Sequence, residues 1–168
     1  MNRVPAMGAS VQQFSGEQRH TTGTEGVSNM KHPADRCEVV YFLQPETHVA
    51  PAREFLRTAP TRVRAIMYAC LTAVAEAPLD QVAGGGIWEA MDGIMSGWFA
   101  VHVNTKDRAQ HRLFCLIDRD AIGRDRPLLV VIAGKTKRFG AGAFGGRDYA
   151  QIRKVGAEYL AHNPRPIY

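Results

Sequence analysis

Leu128-Leu129-Val130-Val131-Ile132 is an uninterrupted run of large apolar residues in the C-terminal third of the chain. A strand with one face in water alternates apolar and polar residues, so a run without alternation predicts a strand that is covered on both faces. The β-branched valines and isoleucine favour a strand over a helix. We therefore place this run inside a sheet that has other elements packed on both sides.

Shorter segments with strand character lie upstream of this run, at 38–43, 87–91, 98–103 and 111–117. Residues 104–110 are polar and suit the loop of a hairpin, whereas 118–127 form a longer and more charged connection. Because short loops join antiparallel neighbours, the pattern predicts a mostly antiparallel sheet.

Three helices are predicted around this sheet. Pro51 suits the first turn of a short helix. A second helix follows Thr61 and ends before Pro78, and a third begins near Arg147 and ends before Pro164. Helical spacing in the second is carried by Val63, Ile66, Met67, Cys70, Leu71 and Val74. The fold class expected is α+β, with two N-terminal helices and a C-terminal helix packed on a mostly antiparallel, twisted sheet.

The length of 168 residues favours one folded domain. Residues 1–35 are polar and lack periodicity, so we expect a flexible N-terminal tail followed by a domain over 36–168. No apolar run is long enough to span a bilayer, and the first residues do not resemble a signal peptide. The three cysteines, which form no Cys-x-x-Cys motif, are expected to be buried thiols in a cytoplasmic protein.

Positive charge is concentrated at the C-terminal end. The chain has a net charge of +5, and residues 106–168 carry 13 basic and 6 acidic residues, a net charge of +7. This excess is compatible with a polyanionic partner and equally with a solvated basic face.

Several kinds of site are excluded or disfavoured by the motifs. The sequence has no phosphate loop, no dinucleotide-binding glycine fingerprint and no zinc-ligand spacing. The glycine-rich segment 140–146 lacks the Lys-Ser/Thr of a Walker loop, so we interpret it as a connection. Glu89 and Asp92 make an unconvincing pair of catalytic carboxylates. We expect no metal site and no small-molecule cofactor.

A more suggestive set of side chains is expected at one end of the sheet. Lys135, Lys137 and Arg138 follow the apolar run, and Arg112 opens the strand before it. In an antiparallel pair the start of one strand lies beside the end of the other, so these cations should converge. Such cations can bind phosphates and stabilise charge that develops on phosphorus. His102 and His111 are expected nearby and could transfer protons, which is what a ribonuclease without metal requires.

Short motifs in a fixed order add a resemblance to a known family. They are GIWEAM (86–91), SGWFAVHV (96–103), HRLFCLI (111–117), VIAGKTKRF (131–139) and RDY (147–149). Together they resemble RelE/HigB-type toxins of the RelE/ParE superfamily, and within it an actinobacterial-like branch, over roughly residues 38–162. The resemblance implies the compact RelE fold.

Toxins of this type belong to type II toxin–antitoxin modules. Many cut mRNA in the ribosomal A site without metal and are blocked by an antitoxin, commonly a helix-turn-helix protein. The resemblance therefore implies mRNA, the ribosome and an antitoxin as partners. It also implies an endoribonuclease that inhibits translation.

The resemblance also assigns residues to roles. Arg112 matches the strand arginine that contacts the scissile phosphate. Lys137 matches the lysine after the last strand, and Lys135 is a neighbour able to share its role. His102 is a candidate for proton transfer. Candidates for RNA or phosphate binding are Arg138, Arg108, His111 and Phe139.

One strand departs from the family pattern. Where relatives read aromatic-Glu-aliphatic-Arg, this chain has Phe99-Ala100-Val101-His102, so Ala100 lacks the carboxylate and His102 replaces the guanidinium. His102 could supply the proton transfer, or the site could have lost activity. Two alternatives therefore stay open. One is an inhibitor of DNA gyrase similar to ParE. The other is a non-catalytic phage or mobile-element protein of the same fold that binds a host protein or the ribosome.

Overall fold

The computed structural model describes residues 36–78, 81, 86–138 and 140–168. The predicted tail at 1–35 and the candidate Phe139 lie outside the described residues. The elements are β1 (Glu38–Tyr41), α1 (Pro51–Thr58), α2 (Thr61–Glu76), β2 (Trp88–Ala90), β3 (Trp98–Asn104), β4 (Gln110–Asp118), β5 (Leu128–Lys137) and α3 (Gly146–Ala161), with a 3-10 turn at Gly93–Met95.

The sheet has the order β1-β5-β4-β3-β2. The pairs β2–β3, β3–β4 and β4–β5 are antiparallel, and β1 runs parallel to β5. Helices α1 and α2 precede β2 in the chain, and α3 is C-terminal. The predicted α+β class, with two N-terminal helices and one C-terminal helix on a mostly antiparallel sheet, is confirmed.

The apolar run at 128–132 occupies the position that its composition predicts. It lies in β5 between β1 and β4, and all five side chains are buried. The prediction that the lysines come after this strand is wrong, however. Ladder pairing with β4 continues to Lys137, which is the partner of Gln110. Lys135 and Lys137 are therefore residues of the strand and do not follow it.

Two apolar cores cover the two faces of the sheet. Leu113 and Cys115 of β4 pack with the helices α1 and α2, whereas Phe114 between them packs with Ile152 and Tyr159 of α3. Successive side chains of a strand point to opposite faces, so this alternation assigns these residues of β4 to one layer or the other. The buried thiols predicted from the sequence are confirmed, since all three cysteines are free and buried.

Two glycines allow close approach between the layers. A Cβ atom added at Gly134 would lie 2.0 Å from Cδ1 of Phe55 in α1, and one at Gly156 would lie 2.3 Å from the ring of Trp98. These glycines therefore set the separation of α1 and α3 from the sheet. In the described ranges, none of the helices combines the length and the apolar character needed to cross a membrane.

The C-terminal segment is tied back to the sheet. Phe42 and Ile167 form an antiparallel bridge. The buried carboxylate of Asp118 accepts hydrogen bonds from the Tyr159 hydroxyl and from Nε of Arg165, each at 2.8 Å. Burial raises the pKa of Asp118, but these hydrogen bonds outweigh it and the net pKa is lowered.

Candidate functional site

Three of the candidate side chains form a row across neighbouring strands. His102 of β3 pairs with Arg112 of β4, and Arg112 pairs with Lys135 of β5. All three lie on the face that α3 covers, because they are in step with Ala100, Phe114 and Ala133 of the core on that side. Adjacent strands are roughly 4.8 Å apart, so the row extends over about 10 Å with the arginine at its centre.

Lys135 and Lys137 share one carboxylate. Nζ of Lys135 lies 2.8 Å from Oδ1 of Asp148, and Nζ of Lys137 lies 2.7 Å from Oδ2. Hydrogen bonds from Lys135 and Lys137 hold the pKa of Asp148 well below its usual range, which outweighs the effect of burial. Asp148 stands in the first turn of α3 and also accepts the Gly145 N–H at 3.1 Å. The start of α3 therefore fixes both ammonium groups.

Neutral groups hold Arg112. Its guanidinium donates to the hydroxyl of Tyr149 at 3.0 Å and lies 5.0 Å from the centre of the Phe144 ring. The side chain is half-buried. A guanidinium that is held by a phenol and a ring keeps its full positive charge and has further N–H donors for an oxyanion.

His102 has a carboxylate beside it that the motifs did not assign. Nδ1 of His102 is 3.5 Å from Oε2 of Glu89, which projects from β2. That Nδ1 atom is buried and has no hydrogen-bond partner within the described part of the chain. Glu89 is the register partner of Ala100. A carboxylate from the neighbouring strand therefore lies beside this position of β3.

Sequence reasoning weighed Glu89 only together with Asp92, so it missed this pairing. The detectable signal is the antiparallel register. When β2 pairs with β3 in this register, Glu89 faces the same layer as Ala100 and His102. Asp148 was missed as well, because nothing in the local sequence connects the first turn of α3 with two lysines of β5.

His111 does not join the cluster. It neighbours Arg112 in β4 and therefore points to the opposite face, where it is buried and its Nδ1 lies 2.8 Å from Oγ1 of Thr136. Burial lowers the pKa of His111, which favours the neutral ring. Its expected place beside His102 and the phosphate-binding cations is corrected accordingly.

Arg138 and Arg108 flank the row. Arg138 is exposed and follows Lys137 directly at the end of β5. Arg108 is an exposed residue of the β3–β4 loop with a positive φ of 60°. Phe139 lies outside the described residues. Arg138 and the row thus lie at the same end of β5.

The arrangement combines two chemical capacities. Arg112, Lys135 and Lys137 offer hydrogen-bond donors and positive charge for a phosphodiester. The His102 ring has Glu89 beside one nitrogen, and its other nitrogen can exchange a proton with a substrate. Within the described residues, no group of three or more histidine, cysteine, aspartate or glutamate side chains is arranged to hold a metal ion.

Comparison of the chain with protein-family models, with curated proteins and with solved structures finds no match in any of the three. The structure alone establishes the fold class. The RelE/HigB resemblance of the motifs stays a prediction.

Proposed function

We propose that this protein is the toxin of a type II toxin–antitoxin module and acts as a metal-independent, ribosome-dependent mRNA endoribonuclease. The observation that carries the proposal is the row His102–Arg112–Lys135 across three strands, in which a proton acceptor and a proton donor flank a phosphate-binding arginine. The motif resemblance supports the same function.

The reaction is a transfer of the scissile phosphoryl group to the neighbouring 2′ oxygen. His102 removes the 2′-hydroxyl proton with the ring nitrogen that does not face Glu89. The 2′ oxygen bonds to phosphorus, the bond from phosphorus to the 5′ oxygen breaks, and a 2′,3′-cyclic phosphate forms. Arg112 stabilises the negative charge that develops on the phosphoryl oxygens in between.

The leaving 5′ oxygen also needs a proton. Lys135 lies on the opposite side of Arg112 from His102, which suits an in-line displacement in which the entering and leaving oxygens are on opposite sides of phosphorus. Its ammonium group donates the proton, and Lys137 keeps positive charge beside the phosphate. Asp148 orients both lysines.

The carboxylate of Asp148 also favours a second candidate function, binding without cleavage. Asp148 offsets part of the charge of Lys135 and Lys137, and a site whose cations are satisfied internally also suits a protein that binds without cleaving. In that case the protein would be a non-catalytic partner of the ribosome or of a host protein.

Controlled expression in bacterial cells separates these functions. We expect rapid arrest of translation and new mRNA 5′ ends inside coding regions. The Arg112→Ala variant should produce neither, whereas Arg119→Ala, which removes an exposed arginine beyond the other end of β4, should behave as wild type.

Arrest without new 5′ ends would favour the non-catalytic binder, and a DNA damage response with filamentation would favour gyrase inhibition. Co-expression of a helix-turn-helix protein encoded in the neighbouring gene should abolish the arrest.

A further inference from the structure

A second basic site lies on the other side of the sheet from the row. It is an open cavity of about 560 Å³ between the start of α1, the first half of α2 and the C-terminal residue Tyr168. A volume in this range is typical of sites for small molecules. Since α1 and α2 pack on the face opposite α3, this cavity is separate from the candidate active site.

Arginines dominate the charge of the cavity. Arg53, Arg57 and Arg64 line it, together with one carboxylate, Glu54. Arg57 forms an ion pair with that carboxylate. Its Nε and Nη2 atoms lie 3.1 and 2.9 Å from Oε2 of Glu54. Within the described part of the chain, Arg64 makes only a long hydrogen bond of 3.4 Å to the Arg57 carbonyl. Among the described residues, no side-chain carboxylate lies within ion-pair distance of Arg53 or Arg64, so both guanidinium groups can turn to an anion.

Aromatic rings prepare one of these arginines for binding. The guanidinium carbon of Arg53 lies 4.0 Å from the centre of the Tyr168 ring and 5.7 Å from that of Tyr41. A guanidinium that lies over a ring keeps N–H donors at its edge, in the fork that matches two oxygens of a phosphate. The rings of Tyr41 and Tyr168 thus lie beside Arg53 before any ligand arrives.

The cavity also offers exposed rings to a planar ligand. The residues Tyr68 and Tyr168 are 44% and 67% exposed, although large aromatic residues are usually covered. Exposed rings beside arginines bind nucleobases by stacking while the cations bind the phosphates. An acidic peptide would use the arginines and leave these rings without a partner.

We infer that this cavity binds a nucleoside phosphate, with the phosphate on Arg53 and Arg64 and the base against Tyr68. The ligand is either a free nucleotide or one nucleotide of a single-stranded RNA. The site lies apart from the row and does not require that the row cleaves RNA.

The test is a binding titration of the full chain. A fluorescein-labelled single-stranded RNA octamer is titrated by anisotropy against protein carrying Arg112→Ala, which keeps the RNA intact. We expect Arg64→Ala to weaken binding about threefold or more and to reduce the slope of log affinity against log salt by about 0.7. Tyr68→Ala should weaken binding about fivefold or more through lost stacking. Arg62→Ala removes the same charge from the same helix outside the cavity, and it should change neither quantity.

A second titration uses AMP as the free nucleotide. If AMP binds and Arg64→Ala loses this binding, the cavity is a site for a free nucleotide. If the octamer binds and AMP does not, the cavity is a site for one nucleotide of an RNA strand. Because Arg64 and Tyr68 are on the surface of α2, their variants should keep the wild-type melting temperature. The inference is overturned if Arg64→Ala and Tyr68→Ala bind the octamer and AMP as Arg62→Ala does. It is also overturned if a polyglutamate peptide binds in the cavity and neither nucleotide probe does.

Discussion

Glu89 of β2 holds its carboxylate 3.5 Å from Nδ1 of His102 in β3. The two residues are not register partners, since Glu89 is opposite Ala100 and the histidine lies two residues further along the same face. This diagonal contact joins His102, the proposed proton acceptor, to a carboxylate through strand pairing alone. It gives His102 the companion that its own strand lacks.

The first prediction concerns this contact. Glu89→Gln removes the negative charge beside the His102 ring and keeps the side chain's size, so the rate of mRNA cleavage should fall about tenfold or more. The loss should appear in kcat with KM unchanged, because Glu89 does not touch the phosphate. Glu89→Asp should recover part of the rate, and Glu76→Gln, an exposed carboxylate at the end of α2, should have no effect. If Glu89→Gln cleaves mRNA at the same rate as Glu76→Gln, the role of Glu89 beside His102 is refuted.

The second prediction concerns the carboxylate shared by the two lysines. Asp148→Asn leaves Lys135 and Lys137 without their counter-charge, so affinity for RNA should rise and the salt dependence of binding should steepen by about 0.7. The cleavage rate should fall, since the ammonium groups lose their fixed positions. Because the pKa of Asp148 is lowered, the carboxylate is charged over the whole range from pH 5 to 8 and the effect should not vary there. Anisotropy and cleavage assays on one preparation measure both quantities, and a fall in RNA affinity would contradict this role.

Much of the fold follows from local patterns in the sequence. The apolar run in β5, the helical spacing in α2 and the prolines at helix ends each predict their element, because each pattern depends on neighbours within a few residues. The convergence of Arg112 with Lys135 was also predictable, since it needs only an antiparallel pair.

The rest depends on contacts that local patterns do not contain. The strand end was misplaced because ladder pairing with Gln110 extends β5 through polar residues. His111 was misplaced because one residue of register reverses the face to which a side chain points. Asp148 reaches the lysines only after α3 folds back on the sheet, so its role needs the tertiary structure.

A third prediction tests the packing of α3 on the sheet. Alanine normally stabilises a helix interior relative to glycine by up to about 1 kcal/mol. At Gly156 the added Cβ would lie 2.3 Å from the Trp98 ring, so Gly156→Ala should instead lower the free energy of unfolding by about 1–3 kcal/mol. Gly146→Ala adds the same methyl group to the same helix with nothing within 4 Å, and it should be neutral or stabilising. Urea unfolding measures both, and stabilisation by Gly156→Ala would show that α3 packs less closely than described.

A fourth prediction concerns the buried carboxylate that secures the C-terminal segment. Asp118→Asn removes the charged acceptor of Tyr159 and Arg165 and should cost about 2–4 kcal/mol of unfolding free energy at pH 7. The pKa of Asp118 is lower in the folded chain than its ordinary value of 3.8, so the carboxylate's stabilisation is complete above that value and is lost as the pH falls below it. The difference between wild type and variant should be constant from pH 5 to 8 and should shrink below pH 4. A difference that grows in acid would contradict the lowered pKa.

The most direct test of the central claim is cleavage by purified protein. An mRNA on programmed ribosomes is incubated with the full chain at a magnesium level that keeps the ribosomes intact, together with a chelator selective for transition metals. The products are mapped to single nucleotides. We expect cuts in the A-site codon with 2′,3′-cyclic phosphate ends, and a loss of about a hundredfold or more in rate for Arg112→Ala and for His102→Ala. Arg119→Ala should cut as wild type. Undiminished cleavage by the Arg112→Ala and His102→Ala variants, or intact mRNA with the wild-type protein bound to the ribosome, would contradict the claim that the row His102–Arg112–Lys135 is a nuclease site.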